Sequence, residues 1–242
     1  MLALLLPFCW LSSAPWPAPR RVFQMAVSGA LIQAGYLGGV FASLHHGMPA
    51  GVSALITGMQ PILTAILGGW LLRERVTGRQ WLGLALGFVA VLLVVGERFR
   101  VEGLGGLAVA LSVFALFSIT LGTLWQKRHG AGIDLRSGAA IQFMAAAVVL
   151  APFALLEGGS VRWSGEFVFA LGWLAVVLSL GAIFLLLTLI RRGRATQVSS
   201  LFYLVPPTTA LIAWPLFGET YSLAAAVGMG LAMLAVWLVM KP

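Results

Sequence analysis

The chain has 242 residues, of which 60% are hydrophobic and only 9% charged, with a formal net charge of +8. Soluble domains carry about 25% charged residues, so a soluble enzyme or nucleic-acid-binding fold is excluded, and the basic excess belongs in loops between membrane segments. The single cysteine, Cys9, rules out an intrachain disulfide, and three histidines, two of them adjacent, offer no metal-ligand spacing; no cofactor is expected.

In chain order, Met1 to Leu11 is apolar but too short for a spanning helix, which needs roughly 20 residues. A signal peptide is disfavoured, because no basic region precedes the apolar stretch and Pro15 directly follows the small-residue site Ser12-Ser13-Ala14. Residues 1–20 read instead as the remnant of a transmembrane helix followed by a connection that Pro15, Pro17 and Pro19 keep from continuing it. Eight segments of spanning length follow: Val22–Leu44, Pro49–Leu72, Gly78–Val95, Leu104–Trp125, Gly138–Leu156, Phe167–Ile190, Ala195–Phe217 and Tyr221–Met240. The expected fold is an all-α polytopic bundle with short connections.

The loops set an expected orientation. Arg20, Arg21, Arg73, Arg75, Arg79, Lys127, Arg128, Arg136, Arg191, Arg192, Arg194 and Lys241 fall on one side, and Arg98, Arg100 and Arg162 on the other. The positive-inside rule makes the first side, and with it the C-terminus, cytoplasmic.

A repeat underlies these segments. Sliding the sequence by 145 positions lays Ala195 to Met240 on Ala50 to Val95, matching Pro61 with Pro206, Thr64 with Thr209, Glu74 with Glu219, Gly83 with Gly228 and Ala90-Val91 with Ala235-Val236. From the loop charges, Glu74 falls inside and Glu219 outside, so the two copies are inverted, as in carriers that alternate access to one central site. A first copy as long as the second would begin before residue 1. The expected organisation is a partial first repeat at 21–97 and a second at 104–242, a five-plus-five design lacking the first helix and part of the second.

The pattern Ala-x-x-x-Ala-Leu, a mid-helix proline, Leu-Leu-x-Glu-x-hydrophobic-Thr and Trp-Leu-Gly-x-x-Leu-Gly across Ala50 to Gly87, repeated from Pro206 through Phe217-Gly218-Glu219-Thr220 to Gly228, resembles the EamA-type drug/metabolite transporter family. The resemblance implies a ten-helix inverted-repeat carrier of the bacterial inner membrane, often an exporter of amino acids or related metabolites. A rival expectation is a truncated bundle that carries nothing, or a full carrier whose start lies upstream of Met1.

Several residues could serve such a carrier. Pro61, Pro206 and Pro207 remove helix hydrogen bonds near mid-depth, so these kinks should face the bundle interior or a wet cavity. Ser53, Thr57, Gln60 and Thr64 share one helix face, Ser199 and Tyr203 share the corresponding face of the second copy, and Gln33 and Tyr36 form a third patch. Gln33, Tyr36, Thr57, Gln60, Ser199 and Tyr203 are the candidate substrate ligands; the competing reading is hydrogen bonding between helices. Glu74 and Glu219, at helix ends three residues before Thr77 and Ser222, read as structural rather than as proton carriers.

The motifs of an intramembrane hydrolase or metalloprotease are absent. The expected partners are a small solute and the bilayer, and the small-residue patterns Gly35-x-x-x-Gly39, Gly83-x-x-x-Gly87 and Ala224-x-x-x-Gly228-x-x-x-Ala232 would allow close contact within one chain or across a homodimer.

Overall fold

A backbone N–H or C=O left without a partner in a bilayer costs several kcal/mol, so apolar runs of spanning length fold as helices that satisfy their own backbone. The structure is a computed structural model, and it describes residues 10, 15–96, 105–157, 163–173, 176–177, 181, 183–192, 195–205, 208 and 223–240. Every described element is helical. In chain order they are α1 (Pro19–His45), α2 (Ala50–Gly58), α3 (Gln60–Leu71), α4 (Gly78–Gly96), α5 (Gly106–His129), α6 (Leu135–Glu157), α7 (Gly165–Trp173), α8 (Ile183–Arg192), α9 (Ala195–Ser200) with a 3-10 turn at Leu201–Leu204, and α10 (Leu223–Met240).

Four described helices are long and apolar enough to cross a membrane: Pro19–His45, Val52–Leu71, Gly106–His129 and Leu135–Leu156. Gly78–Leu93 and Ala226–Met240 are apolar but shorter. The expected spans Phe167–Ile190 and Ala195–Phe217 fall partly outside the described residues, as do Pro206, Pro207 and Glu219.

Helix α5 is the axis of the bundle, touching α1, α2, α3, α8 and α9 and reaching α6 through the Gln126–Gln142 hydrogen bond. Its inward polar residues Ser112, Ser118, Thr120, Thr123 and Gln126 are all buried. Thr120 and Thr123 return their hydroxyls to the carbonyls of Leu116 and Ile119, each at 2.7 Å, which leaves little unmet polarity on that helix. Small residues let the neighbours close in. A Cβ on Gly39 would stand 3.1 Å from Ala115 Cβ, and one on Gly122 would stand 2.6 Å from Ile32 Cγ1. Opposite that second contact, α1 widens into a π-helical stretch, Ala30–Tyr36. On its other side α1 meets α6, where Gly29 lies against the backbone of Gln142 with no room for a Cβ.

The second large contact joins α4 to α10. A Cβ on Gly83 would lie 2.9 Å from the Ala235 carbonyl, and Gln80 Nε2 donates to Val239 O at 3.2 Å. Position 80 therefore lies beside 239 and position 83 beside 235, so the two helices run antiparallel. Moving both members of the Gly83 and Ala235 pair by the repeat interval exchanges them for Gly228 and Ala90, which are also buried. The small-residue faces of α1 and α4 are thus occupied by packing inside the chain, so a homodimer through them would have to compete with these contacts.

Candidate functional site

Pro61 shapes the site. It has no N–H to offer the carbonyl of Thr57, and the helix is interrupted at Met59, whose N–H turns to Ile56 O at 3.1 Å. The chain restarts as α3 with Pro61 in the first turn, where the missing donor is not needed. The Thr57 hydroxyl bonds back to Ser53 O at 2.9 Å. The break lies beside a cavity of about 240 Å³, which Gly58 and Gln60 help to line.

The cavity wall comes from both halves of the chain. Tyr36 stands on α1, Ser53 and Thr57 on α2, Gln60 at the start of α3, Ile119 on α5 and Phe202 in the 3-10 turn after α9. Leu44 and Ala50 line it too, so it extends from mid-depth to the turn joining α1 to α2, away from the end that carries Arg21, Lys127 and Arg191. Among the described residues, none in its lining carries a formal charge. Gln60 Nε2 reaches Thr123 Oγ1 at 3.5 Å, and Ser112 donates to Ser53 at 3.3 Å; both pairs fix the wall to α5.

The polar residues singled out in the sequence separate into two groups. Tyr36, Thr57 and Gln60 line the cavity. Gln33, Ser199 and Tyr203 are buried but not among the lining residues. Ser199 donates to Thr64 Oγ1 at 3.3 Å, tying α9 to α3. Tyr203 donates to Leu84 O at 3.1 Å and lays its ring on Gly87. Gln33 lies in the π-helical stretch, and its Nε2 has no hydrogen-bond partner among the described residues. The apolar wall formed by Val40, Leu44, Ala54, Ile119, Phe202 and Val205 carried no signal, because such residues are ordinary anywhere in a membrane helix.

Toward the basic end, polar side chains tie the helices together. Gln126 Oε1 accepts from the Ser28 hydroxyl at 2.7 Å and from Gln142 Nε2 at 3.0 Å, all three residues being buried. Asp134 caps α6 by accepting from the Arg136 N–H at 2.9 Å and pairs with the Arg136 guanidinium at 3.0 Å. That side-chain bond from Arg136 holds its carboxyl below the usual aspartate range. At the α3–α4 junction, Thr77 and Gln80 cap α4 reciprocally, the Thr77 N–H donating to Gln80 Oε1 at 2.9 Å and the Gln80 N–H to Thr77 Oγ1 at 3.3 Å. Just before this cap, the Glu74 N–H closes the end of α3 on Gly68 O at 3.2 Å.

The model of the EamA-like transporter family matches residues 1–96 and again residues 106–241, one copy over each half. The chain belongs to the EamA-like transporter family. This EamA-type chain is 27% identical over 239 residues to the uncharacterized inner membrane transporter YedA of Escherichia coli K12, covering 98% of the chain and 76% of YedA. It is 27% identical over 201 residues to the uncharacterized transporter YvbV of Bacillus subtilis, covering 79% of the chain and 63% of YvbV. A protein of Salmonella typhimurium named "Probable amino-acid metabolite efflux pump" is 25% identical over 202 residues, covering 79% of the chain and 68% of that protein. A crystal structure superposes with a TM-score of 0.77 at 21% identity over 99% of the chain and 83% of its own length; it shares the fold. The EamA-type chain is a multi-pass membrane protein of a transporter family.

Proposed function

We propose that this chain exports small amphipathic metabolites without net charge, amino acids or close relatives, by alternating access around the α1–α2–α5 cavity. The observation that carries this reading is a wall whose described residues come from both repeats and bring hydroxyl and amide groups but no formal charge. Ligand pockets for drug-sized molecules span about 300–1,000 Å³, so a cavity of about 240 Å³ favours a small metabolite over a multi-ring compound. The printed name of the Salmonella relative supports the same class and direction.

In this reading the cavity is open toward the α1–α2 turn and closed at the basic end by the Thr64–Ser199 and Ser28–Gln126–Gln142 contacts. The halves 21–97 and 104–242 rock to exchange the open and closed ends. Loop charge supports a cytoplasmic basic end, with the C-terminus on that side, and the name of YedA supports a bacterial inner membrane.

The test is efflux of radiolabelled neutral amino acids from cells making this chain, a form extended to the next upstream start, and Gln60→Leu variants of both. Efflux by at least one form, and about fivefold slower efflux at subsaturating solute in the matching variant, is the expected result. Efflux by neither form overturns the reading, and efflux untouched by Gln60→Leu removes this cavity as its site.

A further inference from the structure

A second crevice lies at the basic end, outside the cavity and independent of the transport reading. It is an open hollow of about 330 Å³, lined by Trp70 and Leu71 at the end of α3, Arg73 in the following turn and Arg128 in the last turn of α5. Its two arginines come from different halves of the chain. Among the described residues neither guanidinium has a hydrogen-bond or ion-pair partner, while Arg21, Arg136 and Arg191 at the same end each donate to a named oxygen. Glu74, the acidic residue adjacent to Arg73, is not part of the lining.

Arg73 also sits where chemistry disfavours it. It is the one described non-glycine residue with a positive φ, 55°, a left-handed conformation that crowds the Cβ of an L-residue and is ordinarily given to glycine after a helix end. Trp70, three residues earlier, is 80% exposed, the exposure of a side chain that meets lipid at the membrane boundary.

Two unpaired guanidiniums facing one space suit an anionic phosphate ester, because the planar fork donates two parallel bonds to phosphate oxygens. An interfacial tryptophan beside them suits the glycerol and upper acyl region of a lipid. We propose that Arg73, Arg128 and Trp70 form a binding site for the phosphate headgroup of an anionic phospholipid, which bridges α3 of the first half to α5 of the second.

The test uses the full chain purified in mild detergent. Thermal unfolding is followed with added phosphatidylglycerol, with phosphatidylcholine, and with inorganic phosphate at matched concentration. Phosphatidylglycerol raises the Tm of the wild type, the other two additions do not, and R73Q/R128Q abolishes the response. The control R20Q/R192Q removes two exposed arginines at the same end that do not line the crevice, and it keeps the response. Should R73Q/R128Q fail to fold, native mass spectrometry of R73K/R128K, which keeps the charge and loses the fork, reads phosphatidylglycerol retention directly; retention falls about tenfold, as for loss of a charge-assisted hydrogen bond. Equal stabilisation by phosphatidylcholine, equal stabilisation by inorganic phosphate, loss of the response in R20Q/R192Q, or undiminished retention in the lysine variant would each overturn the proposal.

Discussion

Tyr203 covers Gly87 with its ring and donates its hydroxyl to the Leu84 carbonyl one turn away at 3.1 Å. The ring fits because position 87 has no Cβ, and it joins Leu55, Leu84, Val91 and Val239 in one buried cluster. Gly87→Ala therefore forces an overlap with the ring and costs about 1–3 kcal/mol, as overpacking does. Tyr203→Phe keeps the ring and loses about 0.6 kcal/mol, the average for a hydrogen bond between membrane helices. Thermal unfolding in detergent should rank the two in that order, with Tyr203→Leu partly restoring Gly87→Ala. Equal effects would mean that the hydroxyl, not the packing, holds this contact.

Gln60 stands in the cavity wall and bonds only at long range, 3.5 Å, to Thr123. Gln60→Leu should leave the Tm nearly unchanged and weaken solute binding about fivefold, the effect of one lost hydrogen bond of about 1 kcal/mol. Ala54→Phe should fill the cavity and stop transport with no loss of stability. A solute that protects both variants from unfolding as it protects the wild type would place its site elsewhere.

Gln80 acts at both ends of its side chain: the oxygen accepts from Thr77 N–H and the nitrogen donates to Val239 O. Gln80→Ala should cost about 1–2 kcal/mol, a cap together with a buried bond, and loosen α10. Thr77→Ala removes only the hydroxyl half of the cap and should cost less. Hydrogen exchange at the C-terminal end of α10 distinguishes them, rising in Gln80→Ala and not in Thr77→Ala.

Asp134 gives a pH dependence with a defined sign. The bond from the Arg136 guanidinium lowers its carboxyl pKa in the folded chain, so near the ordinary aspartate value of about 3.9 the unfolded chain binds more protons. The stabilisation is complete above that pH and lost as pH falls through the lower folded-state value. Asp134→Asn keeps a cap acceptor without the charge, so its unfolding temperature should change less below pH 4 than that of the wild type. Parallel curves would assign the acid sensitivity to other groups.

Some of this was legible in residues alone and some was not, for physical reasons. A proline in an apolar run interrupts a helix whatever surrounds it, and the chain does break beside Pro61, at Met59. The repeat was legible because proline, glutamate and glycine recurred in one spacing. The destination of a buried polar side chain was not: Gln60 and Tyr203 look alike at mid-depth, yet one lines a cavity and the other serves a contact with α4, 119 positions away along the chain for its hydrogen bond. Phe202, next to Tyr203, lines the cavity, a difference set by helix rotation in a 3-10 turn that apolar composition does not encode. The Thr77–Gln80 box, a threonine followed three residues later by a glutamine, is a spacing written in the chain that the sequence analysis did not use.

The seam between α4 and α10 sets a segment face to face with its own duplicate. In an unfused form, the same contact could arise only between two identical chains inserted in opposite directions, an isologous interface. Every substitution there would have altered both sides at once. Joined in one polypeptide, the two sides drift separately: Gln80 of α4 donates to Val239 O across the seam, while its counterpart one repeat interval later, Ala225, has no side-chain amide to return. The differences between the halves, rather than their likeness, are what fusion alone made available to this fold.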